Sequence, residues 1–244
     1  HYHKVNYIDK VSTFEGNLFT AFGKAVHHVC EQVVQGKTAQ VEAGLLFKQT
    51  FLDEVEALPD HEELDQELFE SMIPQGVELA KHAIPALDEY FGKFKLVGVE
   101  DYLYENIEKR DLEIGDRKFK GFIDLIIKTE DGKYHVIDWK TCGWGWDAQR
   151  RSEKMTTYQL TLYKHFFSEK YDLDPKDIET YFALLKRTAK KDQVEIFRVT
   201  SGPKKTNNAL NLLHRAVYNI DKKNFIKNRL SCRHCELYKT KYCT

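Results

Sequence analysis

Gly121-Phe122-Ile123-Asp124-Leu125, followed by Val136-Ile137-Asp138-Trp139-Lys140-Thr141, is the stretch whose reading decides the fold. Both segments have the composition of strands, and each is broken by charge: Asp124 in the first, Asp138 and Lys140 in the second. The intervening Glu130-Asp131-Gly132 is a turn signal, which predicts a hairpin of strands over 118–128 and 134–140. Charges among apolar strand neighbours are costly unless paired or metal-bound. A side-chain period of two puts Asp138 and Lys140 on one face and Trp139 on the other, and the hairpin brings Asp124 alongside. One reading is a buried Asp–Lys pair that finishes a strand. The other is a catalytic set, Asp124, Asp138 and Lys140. Hard carboxylate oxygens suit Mg²⁺ or Mn²⁺. Such an ion acidifies water and neutralises charge during phosphodiester hydrolysis, while a lysine beside it orients or deprotonates the nucleophile.

Upstream, Leu18, Phe22, Val26, Val29 and Val33 recur at helical spacing, predicting a helix over 17–35 ended by Gly36. Helical stretches over 39–57 and 61–91 follow, the second interrupted by Pro74 and Pro85. Together, 37–92 is expected to form a helical cap. Residues 93–108 have strand composition and precede the hairpin. Beyond it come a helix over 152–169, strands over 178–186 and 194–199, and a closing helix over 203–226 with proline in its first turn. This order predicts an α/β fold, a mixed sheet flanked by helices.

Three further features lie near the charged strands. Gly23-Lys24-Ala25-Val26-His27 sits on the opening helix, with Glu31 one turn on. Gln159 and Tyr163 share a face of the helix after the hairpin. Glu100, in the preceding strand, is either a solvated strand position or an additional carboxylate. The combination G-x-x-x-H, G-x-I-D, I-D-W-K-T and Q-x-x-x-Y, from Gly23 to Tyr163, resembles the RecB-type branch of the PD-(D/E)XK nuclease superfamily. That branch includes RecB and AddB nuclease domains, CRISPR-associated adaptation nucleases and the mitochondrial genome maintenance exonuclease. The resemblance implies a restriction-endonuclease-like α-β-β-β-α-β core. It implies metal ligation by His27, Asp124, Asp138 and the Trp139 carbonyl, with Lys140 serving the water and Gln159 and Tyr163 positioning or contacting DNA. Asp138 stands where the family more often has Glu, a change that keeps the ligand type. The short spacing from Asp124 to Asp138 is similar to that of phage-encoded members.

Cys232, Cys235 and Cys243 form C-x-x-C-x₇-C in an expected knuckle over 228–244. Several RecB-type nucleases hold a [4Fe-4S] cluster with three such cysteines and a fourth upstream. The sequence from His1 to Ile8 resembles the segment directly after that fourth cysteine, which this chain does not contain. The alternatives are Zn²⁺ with His234 or His214 as fourth ligand, or reduced thiols without metal. Cys142 is expected to be a packed thiol. An odd count of five cysteines argues against a disulfide framework and for an intracellular, cytoplasmic protein, the host cytoplasm if phage-encoded.

The 244 residues are 42% hydrophobic and 31% charged, ordinary for one globular domain, and the expected division is a single nuclease domain over 1–244. No apolar run reaches the roughly 18–20 residues that cross a bilayer, and no leader is evident. The chain opens at His1 inside structured sequence, so residues upstream are expected to have been removed or left out. Net charge is −1, unevenly spread: 186–244 carries 15 Lys and Arg against 4 Asp and Glu. Such a quarter is either a phosphate-binding face or a solvated surface. Trp139, Trp144, Trp146, Tyr158 and Tyr163 lie near the predicted site, and Trp144 and Trp146 suit stacking on unpaired bases, with core packing as the alternative. These features predict a metal-dependent DNA exonuclease acting on single strands or DNA ends, with a recombination or replication protein as partner and no membrane. The alternatives are an RNA endonuclease and a catalytically silent nucleic-acid-binding module.

Overall fold

The computed structural model describes residues 1–11, 16–59, 63–108, 110–227, 229, 232, 235 and 237–243. Helix α1 (Leu18–Val34) starts at Asn17, whose side chain accepts from the Phe19 and Thr20 amides while Thr20 accepts from the Asn17 amide, a reciprocal cap. Helices α2 (Ala43–Glu56) and α3 (Gln66–Phe91) follow. Pro74 and Pro85 do not interrupt α3, contrary to the sequence expectation. A helical proline deprives the carbonyl four residues back of its donor. For Pro85 that carbonyl belongs to Lys81, and the Gln40 side-chain amide donates to it at 3.1 Å and to the Ala80 carbonyl at 3.3 Å.

The sheet runs β1 (Phe94–Asn106), β2 (Lys118–Thr129), β3 (Tyr134–Cys142), β4 (Ile178–Lys186), β5 (Val194–Arg198) in spatial order. β3 and β4 are parallel, joined through α4 (Ala148–Ser152) and α5 (Lys154–Tyr171); the other pairs are antiparallel. Helix α6 (Pro203–Asp221) closes the order, ending before the expected 226. The mixed five-stranded sheet with helices on both faces is the predicted α/β class.

Two apolar layers hold it together. On one face Phe22, Phe47, Phe51, Met72, Leu79 and Leu87 of α1–α3 pack onto Leu125, Ile137, Trp139 and Ala183. On the other, Leu160, Phe166 and Phe167 of α5 and Leu210 of α6 cover Ile123, Val136, Phe182 and Leu184. Each fully buried phenylalanine or leucine contributes about 1.5–3 kcal/mol, against about 0–1 for an exposed ion pair, so apolar burial fixes the layers.

β1 carries a bulge between Leu96 and Gly98, and beyond it the alternations of β1 and β2 invert together. Val99 packs with the α1–α3 layer and Leu103 with the α5 layer, although regular alternation puts both on one face. Leu125 and Ile123 differ in the same way. The inversion falls at Glu100, whose φ is +49°, and at Asp124; the β1–β2 ladder passes from Val99↔Leu125 to Asp101↔Ile123 without pairing them. β2 also parts from β3 here, the last paired residues being Leu125↔Ile137.

Candidate active site

Asp124 occupies this fork. With β2 leaving β3, the Trp139 amide finds no β2 carbonyl and donates to Asp124 Oδ2 instead, at 2.7 Å. Asp138, one residue earlier on β3, is 1% exposed. Lys140 shares its face, with Nζ 2.6 Å from Asp138 Oδ2. This ammonium is the partner of an otherwise buried carboxylate oxygen. The Trp139 ring points the other way, into the α1–α3 layer.

α1 brings its side chains to the same fork. Gly23 permits this approach, since a Cβ there would lie 3.3 Å from Thr141 Oγ1. His27 Nδ1 is 3.8 Å from Asp124 Oδ2, and its ring also reaches the Trp139 carbonyl. Burial lowers the His27 pKa; Asp138 and Glu100 oppose the shift and Lys140 adds to it. Glu100 and Glu31 hydrogen-bond to each other, and burial with this contact pushes Glu31 up to about 7. Glu31 thus joins the group through the fold. Its only trace in the sequence is a spacing of one turn from His27.

Helix α5 completes the surroundings. Gln159 Nε2 donates to Tyr163 Oη at 3.1 Å, and the Tyr163 hydroxyl also meets the Phe122 backbone. Tyr163 lies across Gly121, where a Cβ would come 2.7 Å from its ring. The glycine of G-x-I-D is therefore needed for the tyrosine to reach the fork.

Burial raises both Asp124 and Asp138 to about 7. Lys140 opposes the rise in each, Trp139 N–H in Asp124, and carboxylate repulsion adds to it. Among the described residues no three His, Cys, Asp or Glu side chains stand ready-made as a coordination sphere. The donor set nevertheless suits a divalent cation, because two desolvated carboxylates repel each other at the fork and their hard oxygens are the ligands such an ion prefers. Beside the fork a groove of about 650 Å³ is lined by Phe19, Lys24, His27, Lys140 and Thr141. Arg187 lies over the Phe19 ring at 5.4 Å.

Other predicted residues lie apart. Trp146 is 6% exposed and packs on Phe182 and Phe197, so it is a core residue and not a stacking surface; Trp144 is 79% exposed. Burial raises the Cys142 thiol, as expected of a packed cysteine. Cys232, Cys235 and Cys243 are free thiols that gather no metal-holding group among the described residues, and His234 lies outside those residues. His214 Nε2 accepts from the Arg110 amide at 3.3 Å, which occupies one of the ring nitrogens that the zinc alternative needs.

The sequence matches the PD-(D/E)XK nuclease superfamily over residues 2–240. No curated protein matches it. Among solved structures, a protein from Eubacterium rectale, provisionally described as an exonuclease, superposes with a TM-score of 0.58 at 11% identity, covering 98% of this chain and 80% of that one. This likeness is one of fold. A second structure, SSO0001, has a TM-score of 0.42 at 15% identity over 89% of this chain and 92% of that one, too loose to carry an argument.

Proposed function

Because the chain belongs to the PD-(D/E)XK nuclease superfamily, we propose that it is a divalent-metal-dependent deoxyribonuclease acting on single strands or ends, with Asp124, Asp138 and Lys140 as its catalytic residues. The observation that carries this reading is the meeting of a buried carboxylate, a second one largely withdrawn from solvent and an ammonium where β2 leaves β3. Asp124, Asp138, His27 and the Trp139 carbonyl would hold Mg²⁺ or Mn²⁺, with Glu100 within reach through Glu31. When bound, the ion acidifies water and neutralises charge on the phosphate.

The chain's own groups have separate tasks. Lys140, partly open to the groove, holds or takes the proton of the attacking water and offsets developing negative charge. The Trp139 amide fixes the Asp124 carboxylate through Oδ2. The low pKa of His27 keeps its ring neutral and able to act as a ligand. Gln159 orients the Tyr163 hydroxyl, which closes the α5 side of the fork.

The test is degradation of end-labelled DNA, linear and circular, single- and double-stranded, with Mg²⁺ or Mn²⁺. The expected outcome is cleavage of linear substrates, abolished by EDTA and reduced about 100-fold or more in Asp124→Asn and Lys140→Ala. Full activity in those variants removes the assignment. Cleavage of circles reassigns the enzyme as an endonuclease, and preference for matched RNA changes the substrate.

A further inference from the structure

The β1–β2 hairpin continues beyond the fork, and its outer half carries residues that hydrolysis does not use. On the face that the inversion turns away from α5, Tyr102, Tyr104 and Phe122 are 43%, 50% and 43% exposed. Their rings are contiguous. Tyr102 and Tyr104 stack with centroids 5.8 Å and planes 12° apart, and Tyr102 meets Phe122 at 5.0 Å. Lys118 Nζ lies 4.6 Å from the Tyr104 ring centre and Lys120 Nζ 5.7 Å from that of Phe122. Among the described residues neither lysine has a carboxylate at ion-pair distance.

A contiguous exposed aromatic surface marks a contact site, and its chemistry indicates the occupant. Lysine is depleted where proteins meet proteins and abundant where they meet phosphates. Aromatic faces interleaved with unpaired ammoniums match a chain of alternating bases and phosphates. Position agrees. Phe122 and Tyr102 each stand two residues from Asp124 and Glu100, a strand advance of about 7 Å. A strand whose phosphodiester reaches the carboxylates therefore has neighbouring nucleotides at the height of these rings. In a duplex the base faces are already stacked on one another, so only unpaired bases can use them.

We propose that Tyr102, Tyr104 and Phe122 form a stacking platform for the unpaired bases of single-stranded DNA, with Lys118 and Lys120 meeting its phosphates, continuous with the fork at Asp124. The proposal rests on the nuclease reading for its substrate and adds the preference for single strands.

The experiment measures equilibrium binding of fluorescent oligothymidylate, and of a hairpin duplex of equal length, by anisotropy in EDTA. It compares wild type, Tyr102→Ala/Phe122→Ala and Tyr102→Phe/Phe122→Tyr. Both side chains are partly exposed, and a retained thermal midpoint shows that the variants fold. The alanine pair is expected to weaken oligothymidylate binding about tenfold per ring lost, to leave duplex binding nearly unaltered, and to be rescued by the aromatic pair. Undiminished oligothymidylate affinity in the alanine variant, equal loss on duplex, or no binding by wild type overturns the platform. Because binding is read without hydrolysis, the two readings fail separately. A wild type that never cleaves DNA yet shows the ring-dependent preference sinks only the nuclease reading. Cleavage with ring-independent binding sinks only the platform.

Discussion

Asp138 shows how stability and chemistry oppose each other at a single residue. It and Asp124 are held near 7, against an ordinary 3.8, first by burial. In the unfolded chain both ionise near 3.8, so between there and about 7 the folded protein keeps protons that the unfolded chain has released. Stability must fall as pH rises through that window and level off above it. Urea unfolding in EDTA should show this decline in wild type and a shallower one in Asp138→Asn, which has no charge to desolvate. Adding Mn²⁺ on the alkaline side of the window should recover stability in wild type and not in the variant, since a cation that binds only the folded form stabilises it by mass action. Identical pH profiles, or equal metal responses, would count against a carboxylate-bound cation. Asp124, Asp138 and Lys140 were legible in the sequence because charge inside an apolar strand is conspicuous. Glu31 was not, because its carboxylate acquires meaning only when it meets Glu100 from another element.

Among the elements, α3 departs most from its sequence expectation, and the cause lies outside it. Proline signals an interruption because the carbonyl behind it loses a donor. Gln40, in the turn before α2, supplies one to the Lys81 carbonyl. Gln40→Ala should therefore destabilise the protein by about 1 kcal/mol, the usual net value of such a bond. Pro85 is exposed, so Pro85→Ala loses little packing and restores the backbone donor. In that background the Gln40 substitution should cost measurably less. Additive effects in a double-mutant cycle of unfolding free energies would refute the coupling. The β1–β2 hairpin teaches the same lesson. Its two strands were legible, but the inversion at Glu100 and Asp124 was not, because hydropathy alternation alone does not reveal a positive φ at a glutamate.

At the scale of the whole molecule, net charge conceals the arrangement. The chain carries −1 in total, yet 186–244 holds 15 of its 37 Lys and Arg. Arg187, at the end of β4, is brought over Phe19 at the groove beside Lys140. Binding to DNA should therefore weaken steeply with added salt despite the acidic total, and Arg187→Gln should reduce the logarithmic salt slope by about one. Anisotropy titrations across ionic strength measure both; an unaltered slope would place Arg187 away from the phosphates. No helix among the described residues is long and apolar enough to cross a membrane.

By itself the sequence determined the class of the fold, the strand pair at its centre and the three charges on that pair, because periodicity and the cost of charge in an apolar run are local properties. Only the tertiary structure decided that β2 leaves β3 at Asp124, that α1 places His27 and Glu31 beside it, that Trp146 is core, and that three aromatic rings stay open to solvent next to the fork. Each of these depends on which elements cover one another. That is settled by burial over the whole molecule, and no residue carries it in its neighbours along the chain.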